Sequence, residues 1–181
     1  MNKMSKRLGI SAAAMLAVLI ADRVTKKLAV SALSGGAKTV VPGILGWRYA
    51  ENTGAAFSFF ENGTAFFAVF TSIVLIAMTV LLIRVRKRNI RLLNAAITLI
   101  LAGGIGNLID RVARGFVVDM FEFDFIPFPI FNFADVLICV GTGLLFIFIL
   151  FFYEKYFPSK KKRTENKEAE KKTVTNDADR A

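Results

Sequence analysis

Asp119 and Asp135 have the residue type and setting to perform acid–base chemistry. Two neighbouring carboxylates cannot both ionise cheaply, so one keeps a proton at neutral pH and the pair can supply a general acid and a general base. Asp119 lies in the apolar run 116–121, where a lone carboxylate has no structural advantage. Pro127 and Pro129 between the two acids allow the chain to fold back. The sequence therefore predicts a paired-carboxylate site.

The composition excludes several other kinds of chemistry. The chain has no His and one Cys, which rules out a His-based catalytic triad, a zinc site built on His or Cys and an internal disulfide. Cys139 lies in an apolar stretch without a nearby group to stabilise a thiolate, so we expect a buried, inert thiol. Acid–base chemistry by two carboxylates requires neither a metal ion nor an organic cofactor.

The elements that must position these acids are membrane helices. Of the 181 residues 55% are hydrophobic, and the mean hydropathy is +0.52. A spanning helix needs about 20 mostly apolar residues. Such segments occur at 64–83, 92–109 and 136–153, and a fourth, at about 8–30, continues past Asp22 if its charged side chains face other helices. The alternative for this first segment is a signal peptide cleaved near Ala29–Ala32.

The basic residues predict how these spans are oriented. Lys and Arg are concentrated in the N-terminal arm, in the loop 84–91 and in the tail after 154, and such clusters mark the cytoplasmic side. Both termini are then cytoplasmic, and segments 31–63 and 110–135 face outward. This placement explains most of the net charge of +10 without nucleic acid as a partner. We thus predict an all-α integral membrane protein with four transmembrane helices.

Two smaller features complete this architecture. Turn residues followed by a short alternating run at 42–50 predict a small β element in the first outward segment. Residues 1–157 form the membrane domain, whereas the charged tail 158–181 has too few apolar residues to bury a core and is expected to be disordered. The glycines at 103, 104 and 106 should let helices approach closely.

In this topology the remaining polar side chains lie toward the outer surface, where each also has a purely structural interpretation. Asp22 with Lys26, and Asp110 with Arg111, could be ion pairs or helix-end charges at the membrane interface. Asp135 could be a helix N-cap. Capping or hydrogen bonding between helices is the default expectation for the asparagines, which are Asn52, Asn107 and Asn132.

The sequence resembles bacterial lipoprotein signal peptidase, also called signal peptidase II, a family of intramembrane aspartyl proteases. Five blocks carry the resemblance, in order along almost the whole membrane portion. They are DRVTK at 22–26, NTGAAFS at 52–58, GGIGNLIDR at 103–111, GFVVD at 115–119 and FNFAD at 131–135. One departure is visible, because the family usually has Gln after the first Asp and this chain has Arg23, so no role is transferred to that position.

The resemblance implies a fold, a reaction and a site. The fold is four membrane helices with both ends cytoplasmic and a small outward part that contains β structure. The reaction is that of an aspartic endopeptidase with Asp119 and Asp135 as the catalytic pair. Roles in ordering the site or holding the substrate fall on the other matching positions, namely Asp22, Lys26, Asn52, Gly54, Asn107, Asp110, Arg111 and Asn132.

The resemblance also implies partners and a location. The substrate is a prolipoprotein whose Cys carries a diacylglyceryl group, and cleavage occurs on the N-terminal side of that Cys. Membrane lipids surround the enzyme, and cyclic peptides of the globomycin type are the expected inhibitors. The protein would be a monomer in the bacterial cytoplasmic membrane, with its active site near the outer face.

Two alternatives from other functional classes remain at this stage. In a small transporter or channel, the acids and bases would form an ion or proton path, and such a path should reach both membrane faces. In this chain the cytoplasmic halves of the second and fourth spans contain no charged or amide side chain, so the polar cluster opens only outward. In a scaffold that recruits a partner through its basic tail, the tail would be essential and the acids dispensable.

Overall fold

The computed structural model describes residues 3–33, 35–54, 63–85, 88 and 90–159, the side chains of 3–8, 10 and 11 excepted. These residues form helices and one small sheet, in the order α1 (Lys3–Ala32), β1 (Lys38–Val41), β2 (Leu45–Asn52), α2 (Thr64–Val85), α3 (Arg91–Arg114), β3 (Val117–Phe123), α4 (Phe133–Phe151) and α5 (Tyr153–Tyr156). The structure divides into two compact units between Leu145 and Phe146, and the candidate site lies within the first.

The predicted membrane helices are largely confirmed. Within the described ranges, α2, α3 and α4 are long and apolar enough to cross a bilayer. The first segment forms α1, a 30-residue helix that runs without a break past Asp22. Its role as a fourth span stays a prediction. The tail from 160 onward lies outside the described residues, as do Arg86 and Lys87 of the middle loop and 55–58 of the second motif block.

Helix α2 exposes large apolar side chains. On α2, the side chains of Val69, Ile73 and Ile76 are 61 to 65% exposed. Large apolar side chains are costly to expose to water, so such a surface is typical of a helix that faces lipid. Cys139 on α4 is exposed as well, and our expectation of a buried thiol is therefore wrong.

The three strands form one antiparallel sheet in the order β1-β2-β3. In the sequence, β1 and β2 lie between α1 and α2, and β3 lies between α3 and α4. The β element predicted at 42–50 is confirmed: residues 42–44 form a turn, and strand β2 begins at Leu45. Strand β3 was not predicted, and it places Asp119 within a strand, opposite Ala50 of β2. The buried residues Ala29 and Leu33 of α1 form one apolar cluster with Val118 and Met120 of β3.

Close contacts at glycine fix how α3 packs against its neighbours. A Cβ atom on Gly103 would lie 2.4 Å from the backbone oxygen of Ala134 in α4, and one on Gly106 would lie 2.8 Å from Oδ2 of Asp22 in α1. Neither position can hold a larger residue without a shift of the neighbouring helix or side chain. The expectation that these glycines allow helices to approach closely is confirmed.

Candidate active site

Asn132 joins the two acids predicted to form the site. Strand β3 presents Asp119, the backbone returns through a bridge between Phe121 and Phe131, and α4 begins directly afterwards. The side-chain amide of Asn132 donates to Oδ1 of Asp119 at 2.6 Å, and its backbone N–H donates to Oδ2 of Asp135 at 3.1 Å. Both carboxylates therefore bind one buried asparagine.

Helix α4 begins with a capping box formed by Asn132 and Asp135, and Asp135 also binds Asn107. Oδ1 of Asn132 accepts a hydrogen bond from the backbone N–H of Asp135 at 3.0 Å, so the two residues cap each other. Asn132 is the N-cap, which confirms capping for that residue; the prediction that Asp135 could be the N-cap is wrong. The other oxygen of Asp135 accepts from the side-chain amide of Asn107 at 2.7 Å.

Asp119 is held on its second oxygen from β2. The amide of Asn52 donates to Oδ2 of Asp119 at 2.9 Å, while Oδ1 of Asn52 accepts from the backbone N–H of Gly54 at 3.0 Å. Burial and the nearby charge of Asp135 raise the pKa of Asp119 to about 6, against the hydrogen bonds from Asn52 and Asn132, which lower it. Asp119 can therefore hold a proton in a pH range where an exposed aspartate cannot.

Two further carboxylates form a second cluster between α1 and α3. Asp22 and Asp110 are 1% and 0% exposed. The Lys26 ammonium pairs with Oδ2 of Asp110 at 2.7 Å and with Oδ1 of Asp22 at 3.3 Å. Arg23 binds the other oxygen of each carboxylate, Oδ1 of Asp110 at 2.7 Å and Oδ2 of Asp22. We call Asp22, Arg23, Lys26 and Asp110 the four-charge ring.

The ion pairs of this ring differ in part from those predicted. The pairing of Asp22 with Lys26, four residues apart on one helix face, is confirmed. Of the two alternatives for Asp110 and Arg111, the ion pair is wrong, because Asp110 pairs with Lys26 and Arg23 on α1. Arg111 is instead a basic residue in the last turn of α3. Consecutive helical residues point about 100° apart, so their side chains diverge and each finds other partners.

Asn107 connects the four-charge ring to the two candidate catalytic acids. The Lys26 ammonium donates to Oδ1 of Asn107 at 2.9 Å, and the amide of Asn132 donates to the same atom at 3.2 Å. These two donors fix the orientation of the Asn107 side chain, so its NH₂ group faces Asp135. Asn107 thus links Lys26 on α1 to Asp135 on α4 through two hydrogen bonds.

Arg111 links the turn after β2 to the helices. Its guanidinium donates to the backbone oxygen of Gly54 at 3.3 Å and lies 5.6 Å above the ring of Phe67 on α2. Its positive charge also acts on Asp119 and Asp135. Arg111 therefore supports the turn after Asn52 and adds a cation beside the two acids.

The structure brings all of the sequence-predicted site residues into one connected set of contacts. Sequence reasoning missed one participant, Arg23, because the family comparison gave that position no role. A signal was present: a charged residue inside a predicted span is costly and needs a partner. The connected residues are Asp22, Lys26, Asn52, Gly54, Asn107, Asp110, Arg111, Asp119, Asn132 and Asp135.

The fold and the site together define a class of protein, a multi-helix membrane protein with a carboxylate-rich polar cluster between its helices. Comparison with known proteins then gives the family. Residues 14–151 match the family model described as Signal peptidase (SPase) II, and the chain belongs to that family.

Relatives and solved structures agree with this assignment. The lipoprotein signal peptidase of Lactococcus lactis subsp. cremoris (strain MG1363) is 47% identical over 73% of this chain and 87% of its own length, and that of Clostridium tetani (strain Massachusetts / E88) is 43% identical over 73% and 86%. A bacterial membrane enzyme solved by the in meso method at 2.3 Å resolution is 32% identical, with a TM-score of 0.70 over 84% of this chain and 93% of that one. The predicted lipoprotein signal peptidase function is confirmed.

Proposed function

We propose that this peptidase uses an aspartic mechanism in which Asp119 and Asp135 hydrolyse the peptide bond before the diacylglyceryl-modified Cys of a prolipoprotein. The observation that carries the proposal is the pair of bonds from Asn132, at 2.6 Å to Asp119 and 3.1 Å to Asp135, which hold the carboxylates as one unit. The substrate class follows from the family and from the relatives' names. Purified protein should release the signal peptide from a verified lipidated prolipoprotein, and failure to do so would overturn the proposal.

The two acids divide the chemistry between them. The ionised member of the pair takes a proton from a water molecule as that water attacks the scissile carbonyl. The protonated member donates to the carbonyl oxygen and so supports the tetrahedral intermediate. A proton then passes to the nitrogen of the leaving amine. No side chain attacks the carbonyl in this scheme, so the reaction proceeds without an acyl-enzyme.

The surrounding amides and cations suit this division. Asn52, Asn107 and Asn132 each donate to a carboxylate oxygen, which keeps those oxygens aimed in fixed directions while a proton moves between states. The cations Lys26 and Arg111 lie close to the pair and stabilise its single negative charge. The site needs no metal ion and no cofactor for these steps.

The membrane setting completes the proposal. The signal helix of the substrate lies among four spans, its acyl chains stay in the lipid, and its cleavage point comes to the outer face of the bacterial cytoplasmic membrane. The positions of the basic residues support this orientation, with both termini cytoplasmic. The enzyme acts as a monomer, and a cyclic peptide of the globomycin type competes with the substrate.

Replacement of Asn52 should move the pH profile of cleavage. In Asn52→Leu the ionised form of Asp119 loses a hydrogen bond that stabilises it, so the pKa of Asp119 rises above about 6. The proton shared by the pair is then lost at higher pH, and the alkaline limb of kcat against pH moves upward by about half a unit or more. Initial rates measured between pH 5 and pH 9, with ~ half-unit steps, detect this shift.

Glu51→Gln is the matched control for that experiment. Glu51 is the preceding residue of β2, is exposed, and binds the hydroxyl of Tyr49 rather than the acids. We expect its pH profile to stay at the parental position. An unchanged alkaline limb in folded Asn52→Leu, or an equal shift in Glu51→Gln, would contradict the assigned role of Asn52.

Deletion of the charged tail should leave cleavage intact. None of the candidate site residues lies beyond Asp135, and residues 158–181 carry mainly Lys, Glu, Thr, Asn and Asp. Because the chemistry depends on the acids rather than on tail-mediated recruitment, a chain ending at 157 should retain its kcat/KM within about threefold, a small effect in free energy. Loss of cleavage by a folded truncation would favour the scaffold interpretation instead.

A further inference from the structure

Arg23 has a position in the site that neither the motif blocks nor the family comparison assigns. Its guanidinium donates to Asp22, to Oδ1 of Asp110 at 2.7 Å and to the backbone oxygen of Gly106 at 2.6 Å. It thereby bridges α1 and α3, and it is 32% exposed at the rim of the cluster. An arginine fork with three acceptors on two helices is held in one orientation.

Arg23 balances the charge of the four-charge ring. Asp22 and Asp110 are almost fully buried and carry two negative charges, whereas Lys26 supplies a single positive charge. A buried charge without a partner is costly. Arg23 supplies the second positive charge, and the ring is neutral only with it. Each carboxylate then has one oxygen toward Lys26 and the other toward Arg23.

The net charge of the ring affects Asp119 and Asp135 because hydrogen bonds connect the ring to these acids. Lys26 donates to Asn107, and Asn107 donates to Asp135. The positive charge of Lys26 also acts on both acids. An uncompensated negative charge in the ring would oppose the effect of Lys26 and repel the negative charge shared by Asp119 and Asp135. Solvent and salt screen such buried charges only weakly.

We propose that Arg23 is a positioning residue of this peptidase, which neutralises the buried carboxylates Asp22 and Asp110 so that Lys26 can orient Asn107 and support the charge on the acid pair. The inference rests on the proposed role of Asp119 and Asp135. It adds to that role a residue that touches neither acid and acts through Lys26.

Two further arginines on α3 lie close to the ring and the acids. On α3, Arg111 acts on both acids, and Arg114 lies 3.8 Å from Oδ1 of Asp110. Arg114 is 39% exposed and makes the longer, more solvated contact, so it compensates Asp110 far less than Arg23 does. Besides Arg23, the charged groups that contact the ring or act electrostatically on the two acids are Asp22 and Lys26 on α1, Asp110, Arg111 and Arg114 on α3, Asp119 on β3 and Asp135 on α4.

The test is the pH profile of prolipoprotein cleavage by three full-length variants. In Arg23→Gln the ring carries a net negative charge, the acid pair holds its protons more tightly, and both limbs of kcat against pH move upward by about half a unit or more. Arg23→Lys keeps the charge and should hold both limbs within about 0.2 units of the parent. Arg114→Gln removes an arginine from the same carboxylate and should leave the limbs in place.

The outcomes separate the proposal from a simple helix-to-helix contact. A structural contact alone would lower the melting temperature or kcat at every pH without displacing the limbs. Limbs at the parental position in folded Arg23→Gln overturn the proposal, as does an equal displacement in Arg114→Gln or in Arg23→Lys. If Arg23→Gln does not fold, the double variant Arg23→Gln with Asp22→Asn decides, because it returns the ring to neutrality. A folded double variant with parental limbs supports the proposal, and a double variant that still does not fold overturns it.

Failure of this inference is distinguishable from failure of the proposed function. The parental enzyme is assayed in the same series on the same verified lipidated substrate. Cleavage by the parent with immobile limbs in the Arg23 variants removes only the role of Arg23. Absence of cleavage by the folded parent removes the proposed function and, with it, the role of Arg23.

Discussion

Asp119→Asn and Asp135→Asn each lower kcat for cleavage of a lipidated prolipoprotein by about a thousandfold or more, while the protein remains folded. Asparagine has nearly the shape of aspartate, but it can neither take a proton from water nor donate an acidic proton to the carbonyl oxygen. The double variant should be no worse than either single variant, because the acids act as one unit. Release of the signal peptide and the melting temperature of each purified variant provide the two measurements.

Asp124→Asn is the matched control for both variants. Asp124 follows β3 directly, is exposed and lies outside the connected site, so its replacement removes a carboxylate without touching the pair. It should cleave at the parental rate. If folded Asp119→Asn and Asp135→Asn also cleave at the parental rate, the two acids serve only as hydrogen-bond acceptors for Asn52, Asn107 and Asn132, and the aspartic mechanism is wrong.

Hydropathy was sufficient to locate most of the membrane helices. A bilayer demands a fixed length of apolar helix, so the segments at 64–83, 92–109 and 136–153 could be found by length and composition alone. They correspond to α2, α3 and α4 within a few residues at each end. The helix ends are less predictable, because the final turns depend on contacts such as the capping box between Asn132 and Asp135.

Strand β3 shows why other parts of the fold could not be predicted. A half-buried strand is recognised by alternation of apolar and polar residues. Val117, Val118, Asp119 and Met120 are all buried, so this alternation is absent. The strand is defined instead by its pairing with β2, a contact between segments far apart in sequence. Propensity within a short window carries no information about that contact.

The candidate site divides in the same way. The two acids could be paired from residue type and from the prolines between them, because that argument is local. The partners of Asp110 could not, because its nearest cation in sequence is Arg111, whereas in the structure it pairs with Lys26 and Arg23 on another helix. Which helices approach closely enough to bring such charges together depends on packing, and in this protein on glycine.

Gly103→Ala should disable the enzyme from a position that carries no chemistry. The added methyl group would lie 2.4 Å from the backbone oxygen of Ala134 and 2.8 Å from the side chain of Ile138, so α3 and α4 must move apart. That movement separates Asn107 on α3 from Asp135 on α4, which are joined at 2.7 Å. We expect the free energy of unfolding to fall by about 1–3 kcal/mol, and kcat to fall by about a hundredfold.

Gly143→Ala provides the matched control, since it makes the same chemical change in a membrane helix. A Cβ atom at Gly143 meets nothing within 4 Å, so alanine fits and is the better helix former. This variant should keep parental cleavage and a melting temperature at or above that of the parent. Comparison of cleavage and thermal unfolding in the same detergent separates the two cases. Parental activity in Gly103→Ala would mean that the acid pair does not depend on the close approach of α3 and α4, and the acids would then have to be positioned by β3 and the capping box alone.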